Sequence, residues 1–185
     1  RWEDAAEAIK LALEINLKKL PTRTESYFVF ADLPHNKFSN EKNVMLVLAE
    51  SCTGGMIAAA LTDIAGSSAV LDRGLVTYSD QAKQDLLGVS DDILASYGAV
   101  SAETAIAMTT GALLKTPAAQ LAASVTGIAG PGGGSQDKPV GLVHFSCQWR
   151  GKPAVHEHHI FTGDRDSVRN KSLHHLLTML YIELK

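Results

Sequence analysis

The chain has 185 residues, 45% hydrophobic and 20% charged, with a net charge of −3, the balance of one soluble globular domain over 1–185 with a sizeable core. That charge supplies no basic stripe for duplex nucleic acid, and no apolar run approaches the ~20 residues of a membrane span, so neither is an expected partner. Cys52 and Cys147 cannot form a disulfide framework for a chain of this size, and free thiols suit a reducing cytoplasm, the expected location given that Arg1–Lys10 carries acids and no apolar signal core.

The first element is a helix from Trp2 to Leu20. Trp2, Ala6, Ile9, Leu13, Leu17 and Leu20 recur every three or four residues, and Pro21 ends the pattern. In residues 21–40 only Tyr27-Phe28-Val29-Phe30 reads as a short extended piece within a loop. Val44–Leu48 is a continuous apolar strand of the kind covered on both faces. Gly54-Gly55 opens an alanine-rich helix through Ile64, and Leu71–Tyr78 is a second strand. Ser79 caps a helix through Leu87, Ser90 a short helix to Tyr97, and Ser101 a longer one to Lys115. Leu121–Thr126 is a third strand, followed by a glycine-rich loop over Gly127–Pro139. Val140–Trp149 and Ala154–Phe161 form a hairpin around Arg150-Gly151-Lys152-Pro153. Asp164 caps a last helix to about Glu183. Strands alternating with helices, plus one hairpin, predict an α/β three-layer sandwich with a mixed sheet.

Chemistry gathers at the strand-to-helix turn Leu48-Ala49-Glu50-Ser51-Cys52-Thr53-Gly54-Gly55. The first N–H groups of a helix lack internal partners and can hold an anion or oxyanion, and the two glycines let a substrate approach the backbone. Ser51 and Thr53 can equally serve as helix caps, and Cys52 as a small buried hydrophobe. The turn does not match the G-x-S-x-G elbow, so a catalytic Ser51 needs a base from elsewhere. Strand ends on one edge of an α/β sheet share a crevice, which brings Tyr78 and Lys83 within range. A desolvated lysine can act as base and a tyrosine hydroxyl can relay a proton; an exposed helix lysine and a half-buried tyrosine are the plain alternative.

Two further segments suit a phosphorylated ligand. The loop Ser124–Ser135 is rich in glycine but lacks the G-K-[ST] of a P-loop and the last glycine of G-x-G-x-x-G, leaving a phosphate- or sugar-wrapping loop or a simple flexible turn. Arg165 and Arg169, four apart at the start of the last helix, lie at its positive end, where a bound anion or Asp164 and Asp166 would relieve the repulsion. His156-Glu157-His158-His159 is not H-E-x-x-H, since position 160 is Ile160. His156 and His158 share a strand face, but without a third ligand they read as part of an exposed hairpin, and no metal site is expected.

Taken together, Ala49–Gly55, Val76–Ser79 with Ala82-Lys83, Gly98–Ser101, Thr126–Pro131, Lys138–Gly141 and Gly163–Arg165 resemble, in order and spacing, the C-terminal domain of the CinA family. The resemblance runs from Val44 to near the C-terminus. It implies a PncC-type nicotinamide-nucleotide amidase, a serine amidohydrolase without cofactor or metal. Ser51 would be the nucleophile, Lys83 its base and Tyr78 a helper in proton transfer. N–H groups near Thr53, Gly54 and Gly55 would hold the oxyanion; Thr126 and Arg165, with Gly127, Gly130 and Arg169 beside them, would bind the mononucleotide substrate. The implied fold has five strands, one of them antiparallel, in a homo-oligomer. Residues 21–43 depart from the family, whose first helix leads almost directly into the first strand. A non-catalytic nucleotide-binding module and an interaction protein using Trp2–Leu20 as an exchanged or docking helix are the two other classes.

Overall fold

Alternation in the central strands decides how the chain is layered. In the computed structural model, which describes residues 5–19 and 44–185, β1 (Leu46–Glu50) is buried along its whole length. Leu46 and Leu48 join one apolar cluster, and Val47 and Ala49 join another on the opposite face. That is the period of two of a strand covered from both sides. In β3 (Leu121–Gly127), Leu121, Ala123 and Val125 join the first cluster and Ala122 the second.

The sheet order is β2-β1-β3-β4-β5, with β2 at Leu71–Val76, β4 at Leu142–Trp149 and β5 at Val155–Ile160. β1 runs parallel to β2 and β3, whereas β4 is antiparallel to both β3 and β5. One strand of five is therefore reversed, in a mixed, mainly parallel sheet. Helices α1 (Ala5–Lys19), α2 (Met56–Thr62) and α6 (Arg165–Glu183) cover the first face. Helices α3 (Asp80–Leu87), α4 (Asp91–Tyr97) and α5 (Ala102–Lys115) cover the second. The three-layer α/β/α sandwich is the fold class the sequence predicts.

Local chemistry sets the helix starts. The side chains of Ser79, Ser90, Ser101 and Asp164 accept hydrogen bonds from the amides of Ala82, Ile93, Thr104 and Ser167, caps worth about 1 kcal/mol each. α1 buries Ala5, Ala6, Ala8, Ile9, Ala12 and Leu13 and packs on α6 and α2 of its own chain. Its small residues allow close approach, while Ile9 and Leu13 each contribute roughly 1.5–3 kcal/mol of burial. The expected extended piece at Tyr27–Phe30 lies outside the described residues.

Several boundaries differ from expectation by two residues. β1 starts at Leu46 and continues through Glu50, because Ala49 and Glu50 pair with Leu75 and Val76 on one side and Ser124 and Val125 on the other. β4 starts at Leu142, not Val140; Val140 lies in the preceding loop against Gly130, where a Cβ would stand 2.6 Å from Val140 Cγ1. A 3₁₀ turn at Ser67–Ala69 was not foreseen. Among the described residues, no helix is long and apolar enough to cross a membrane.

Candidate active site

The carboxyl ends of β1, β2 and β3 meet at one point. The hydrogen-bond ladder continues past the strands: Ser51 N–H donates to Val125 O at 3.0 Å and Thr77 N–H to Glu50 O at 2.8 Å. Ser51, the Thr77–Tyr78 segment and Thr126 are thereby held side by side. Above them opens a cavity of about 260 Å³ lined by Ser51, Cys52, Tyr78, Lys83, Thr126 and Arg165, with Ala99–Val100 and the Gly127–Gly133 loop completing the wall.

Glu50 shapes the turn, a role the sequence reading did not give it. Gly54 (φ 62°) and Gly55 (φ 95°) take left-handed backbone that other residues adopt at a cost, and Gly55 offers no side chain to cap α2. The fully buried Glu50 carboxylate supplies the cap from the strand. It accepts from Thr53 Oγ1 at 2.7 Å and from the amides of Gly55, Ile57 and Ala58 at 3.0, 3.2 and 2.8 Å. The signal was present in the sequence as a charge ending an otherwise apolar strand. Gly54 N–H donates to Ser51 O at 3.0 Å. The amides of Gly54 and Gly55 thus turn inward, and Thr53, Gly54 and Gly55 stand behind the cavity wall. The amides of Cys52 and Thr53 are not used by these bonds.

Lys83 is among the largest fully buried side chains of the described residues, 1% exposed. Its Nζ donates to Ser51 Oγ at 3.3 Å and to the carbonyls of Thr77, Tyr78 and Ser79 at 3.0, 3.4 and 3.5 Å. Burial holds its pKa below the ordinary lysine value, and Asp80, 3.9 Å away, pulls partly the other way. The neutral amine would keep two N–H groups for the carbonyls, leaving its lone pair for Ser51. Neighbouring Cys52 has no such partner. Burial pushes its thiol up to about 12, so it stays protonated and a poor nucleophile at neutral pH.

The other predicted residues divide between wall and support. Tyr78 is 61% exposed at the rim, and its hydroxyl accepts from Arg165 Nη2 at 3.2 Å, pairing with the arginine at the mouth instead of with Ser51. Arg165 Nη1 also donates to Gly130 O at 2.8 Å, so the guanidinium bridges the β2 end and the glycine-rich loop. Thr126 Oγ1 donates to Ala99 O at 2.7 Å, tying two walls together. Arg169 stands outside the lining and donates from Nη2 to Thr53 O at 2.9 Å, bracing the Ser51 turn.

Known proteins share much of this sequence and this fold. The CinA C-terminal domain model matches residues 34–184. The nicotinamide-nucleotide amidohydrolase PncC of Escherichia coli K12 is 45% identical over 140 residues, covering 76% of this chain and 84% of that one. A CinA-like protein of Geobacter sulfurreducens is 53% identical over 129 residues, 70% of this chain but 31% of its own length. Among solved structures, the competence/damage inducible protein CihA from Agrobacterium tumefaciens superposes with a TM-score of 0.76 at 41% identity, covering 100% of this chain and 98% of that one. With most of its length matched by the family model, the chain belongs to the CinA C-terminal domain family.

Proposed function

We propose that the chain hydrolyses the carboxamide of nicotinamide mononucleotide to nicotinate mononucleotide and ammonia, with Ser51 as nucleophile and Lys83 as its base. The observation that carries this reading is the buried Lys83 Nζ at 3.3 Å from Ser51 Oγ on the cavity floor. The substrate comes from the E. coli relative's name and from an arginine at the cavity mouth. In the first half-reaction Ser51 Oγ bonds to the amide carbon as its proton passes directly to Lys83. The amide of Cys52, the turn residue that lines the cavity beside Ser51, receives the oxyanion, a role the sequence reading gave to amides near Thr53–Gly55. Lys83 then protonates the departing nitrogen, the C–N bond breaks and ammonia leaves. In the second half-reaction water attacks the ester, Lys83 takes its proton and returns one to Ser51 Oγ. Arg165, with five N–H donors, holds the phosphate against the loop at Gly130–Gly133.

The test is the release of ammonia and nicotinate mononucleotide in equal amounts from nicotinamide mononucleotide, in the presence of chelator. Ser51→Ala is expected to lower the rate about a thousandfold or more, and Cys52→Ala to retain most of it. No turnover by the unmutated chain, or turnover that survives Ser51→Ala, overturns the proposal.

A further inference from the structure

The edge strand β5 carries histidines on both faces, and one face gains a partner from α6 that sequence spacing could not provide. Glu157 pairs with Phe145 and His159 with Val143 across the β4–β5 ladder, so both project toward the α1/α6 layer. There His175 of α6 reaches them. Its Nε2 lies 2.9 Å from Glu157 Oε2, and His159 Nε2 lies 3.9 Å from the same oxygen. One donor atom from each residue falls within 4.8 Å of both others.

We propose that Glu157, His159 and His175 form a binding site for a divalent transition metal of the zinc class, clipping β5 to α6. Zinc binds imidazole nitrogen and carboxylate oxygen at about 2.0–2.2 Å, so neighbouring donors in a tetrahedral shell stand ~3.4 Å apart. Separations of 2.9 and 3.9 Å bracket that value, and the third, between the two imidazoles, lies within 4.8 Å. Two imidazoles with one carboxylate suit zinc, cobalt or nickel better than magnesium or calcium, which prefer oxygen. Aromatic neighbours steer the rings: the His175 centroid is 4.6 Å from Phe145, and His159 stacks on Phe161 at 5.5 Å. The site is reachable, with the side chains of Glu157 and His159 each 45% exposed and that of His175 20%, leaving a fourth position for water. None of the three lines the Ser51 cavity, so the metal's role is to bind strand to helix. The competing location is the opposite face of β5, where His144 Nδ1 and His156 Nε2 are 3.0 Å apart and His158 stacks on His144. Those two nitrogens share a hydrogen bond, Glu103 acts on them electrostatically, and among the described residues no third donor atom closes a metal-binding group with them.

The experiment titrates the chelator-stripped full chain with Zn²⁺ by calorimetry and with Co²⁺ by visible absorption, and follows melting temperature with and without Zn²⁺. The unmutated chain is expected to bind one equivalent at this face, with nitrogen-ligated Co²⁺ bands, and to melt roughly 5–10 °C higher at a hundredfold excess of Zn²⁺ over its Kd. His159→Ala and Glu157→Gln, both at exposed positions, should weaken this binding at least ~tenfold and remove most of the thermal shift. His158→Ala, on the opposite face, should leave both unchanged. No binding up to millimolar Zn²⁺, full binding in His159→Ala, or loss confined to His158→Ala overturns the proposal.

Discussion

Replacing Lys83 with methionine should separate activity from stability. Methionine matches the lysine stem in length and shape but cannot take a proton from Ser51. Loss of a positioned base costs on the order of 10²–10⁴ in rate. The stability change runs in both directions. Burial lowers the Lys83 pKa, and each unit of lowering represents about 1.4 kcal/mol that the folded state spends holding an ammonium there. The unfolded chain binds the proton more tightly, so stability rises with pH between the lowered folded pKa and the ordinary lysine value. Below that window the unmutated protein bears the full penalty, and Lys83→Met bears none. Against this gain, Thr77 O loses its 3.0 Å donor, a cost of about 1–3 kcal/mol for a buried group left unpaired. The net change at neutral pH should lie within about 2 kcal/mol of zero, a melting shift under roughly 8 °C. The comparison with the unmutated protein should turn less favourable to the variant as pH rises through the window. Calorimetric melting across pH, together with ammonia release from nicotinamide mononucleotide, measures both. A variant that keeps more than a tenth of the activity refutes the base assignment. One that melts far lower at neutral pH makes Lys83 a structural cation.

Three other outcomes follow from the same geometry. Since the base must be the free amine, kcat/KM should fall as pH drops through the lowered Lys83 pKa and level off above it; a rate flat from acid to alkaline pH contradicts a lysine base. Glu50→Gln can satisfy the donors at Oε2 but turns an NH₂ group toward the Ala58 amide, which should cost roughly 2–3 kcal/mol and lower the melting temperature by about 5–10 °C; an unchanged melting curve removes Glu50 as the cap of α2. Arg165→Ala should raise KM for the mononucleotide but alter hydrolysis of nicotinamide riboside, which lacks phosphate, much less; equal losses on both substrates would sink the phosphate role.

The residues that were legible in sequence are those whose role is local. The caps at Ser79, Ser90, Ser101 and Asp164 act within three residues of themselves, and each holds its expected amide. The strand that became β1 announced itself as buried because both of its faces are apolar. Longer-range roles were hidden. On an eight-residue helix with charges on several sides, Lys83 reads as solvent-exposed; only the return of α3 beneath the Ser51 turn buries it. Glu50 gains meaning when α2 folds back onto it. The pair weighed in sequence, His156 and His158, lies on the opposite face of β5 from Glu157 and His159, which meet His175, eighteen residues beyond Glu157, only when α6 packs across the sheet. The Ser51 motif itself was locally ambiguous between cap and nucleophile, and it was the combination of separate motifs that carried the resemblance.

Covalent chemistry at Ser51 can be read directly. The protein is quenched during turnover of nicotinamide mononucleotide, digested, and its peptides weighed by mass spectrometry. An adduct with the mass of the substrate less ammonia is expected on Ser51, accumulating in a variant slowed in the second half-reaction and absent from Ser51→Ala. An adduct on Cys52, or undiminished hydrolysis by Ser51→Ala with no adduct at that position, would contradict a Ser51 nucleophile.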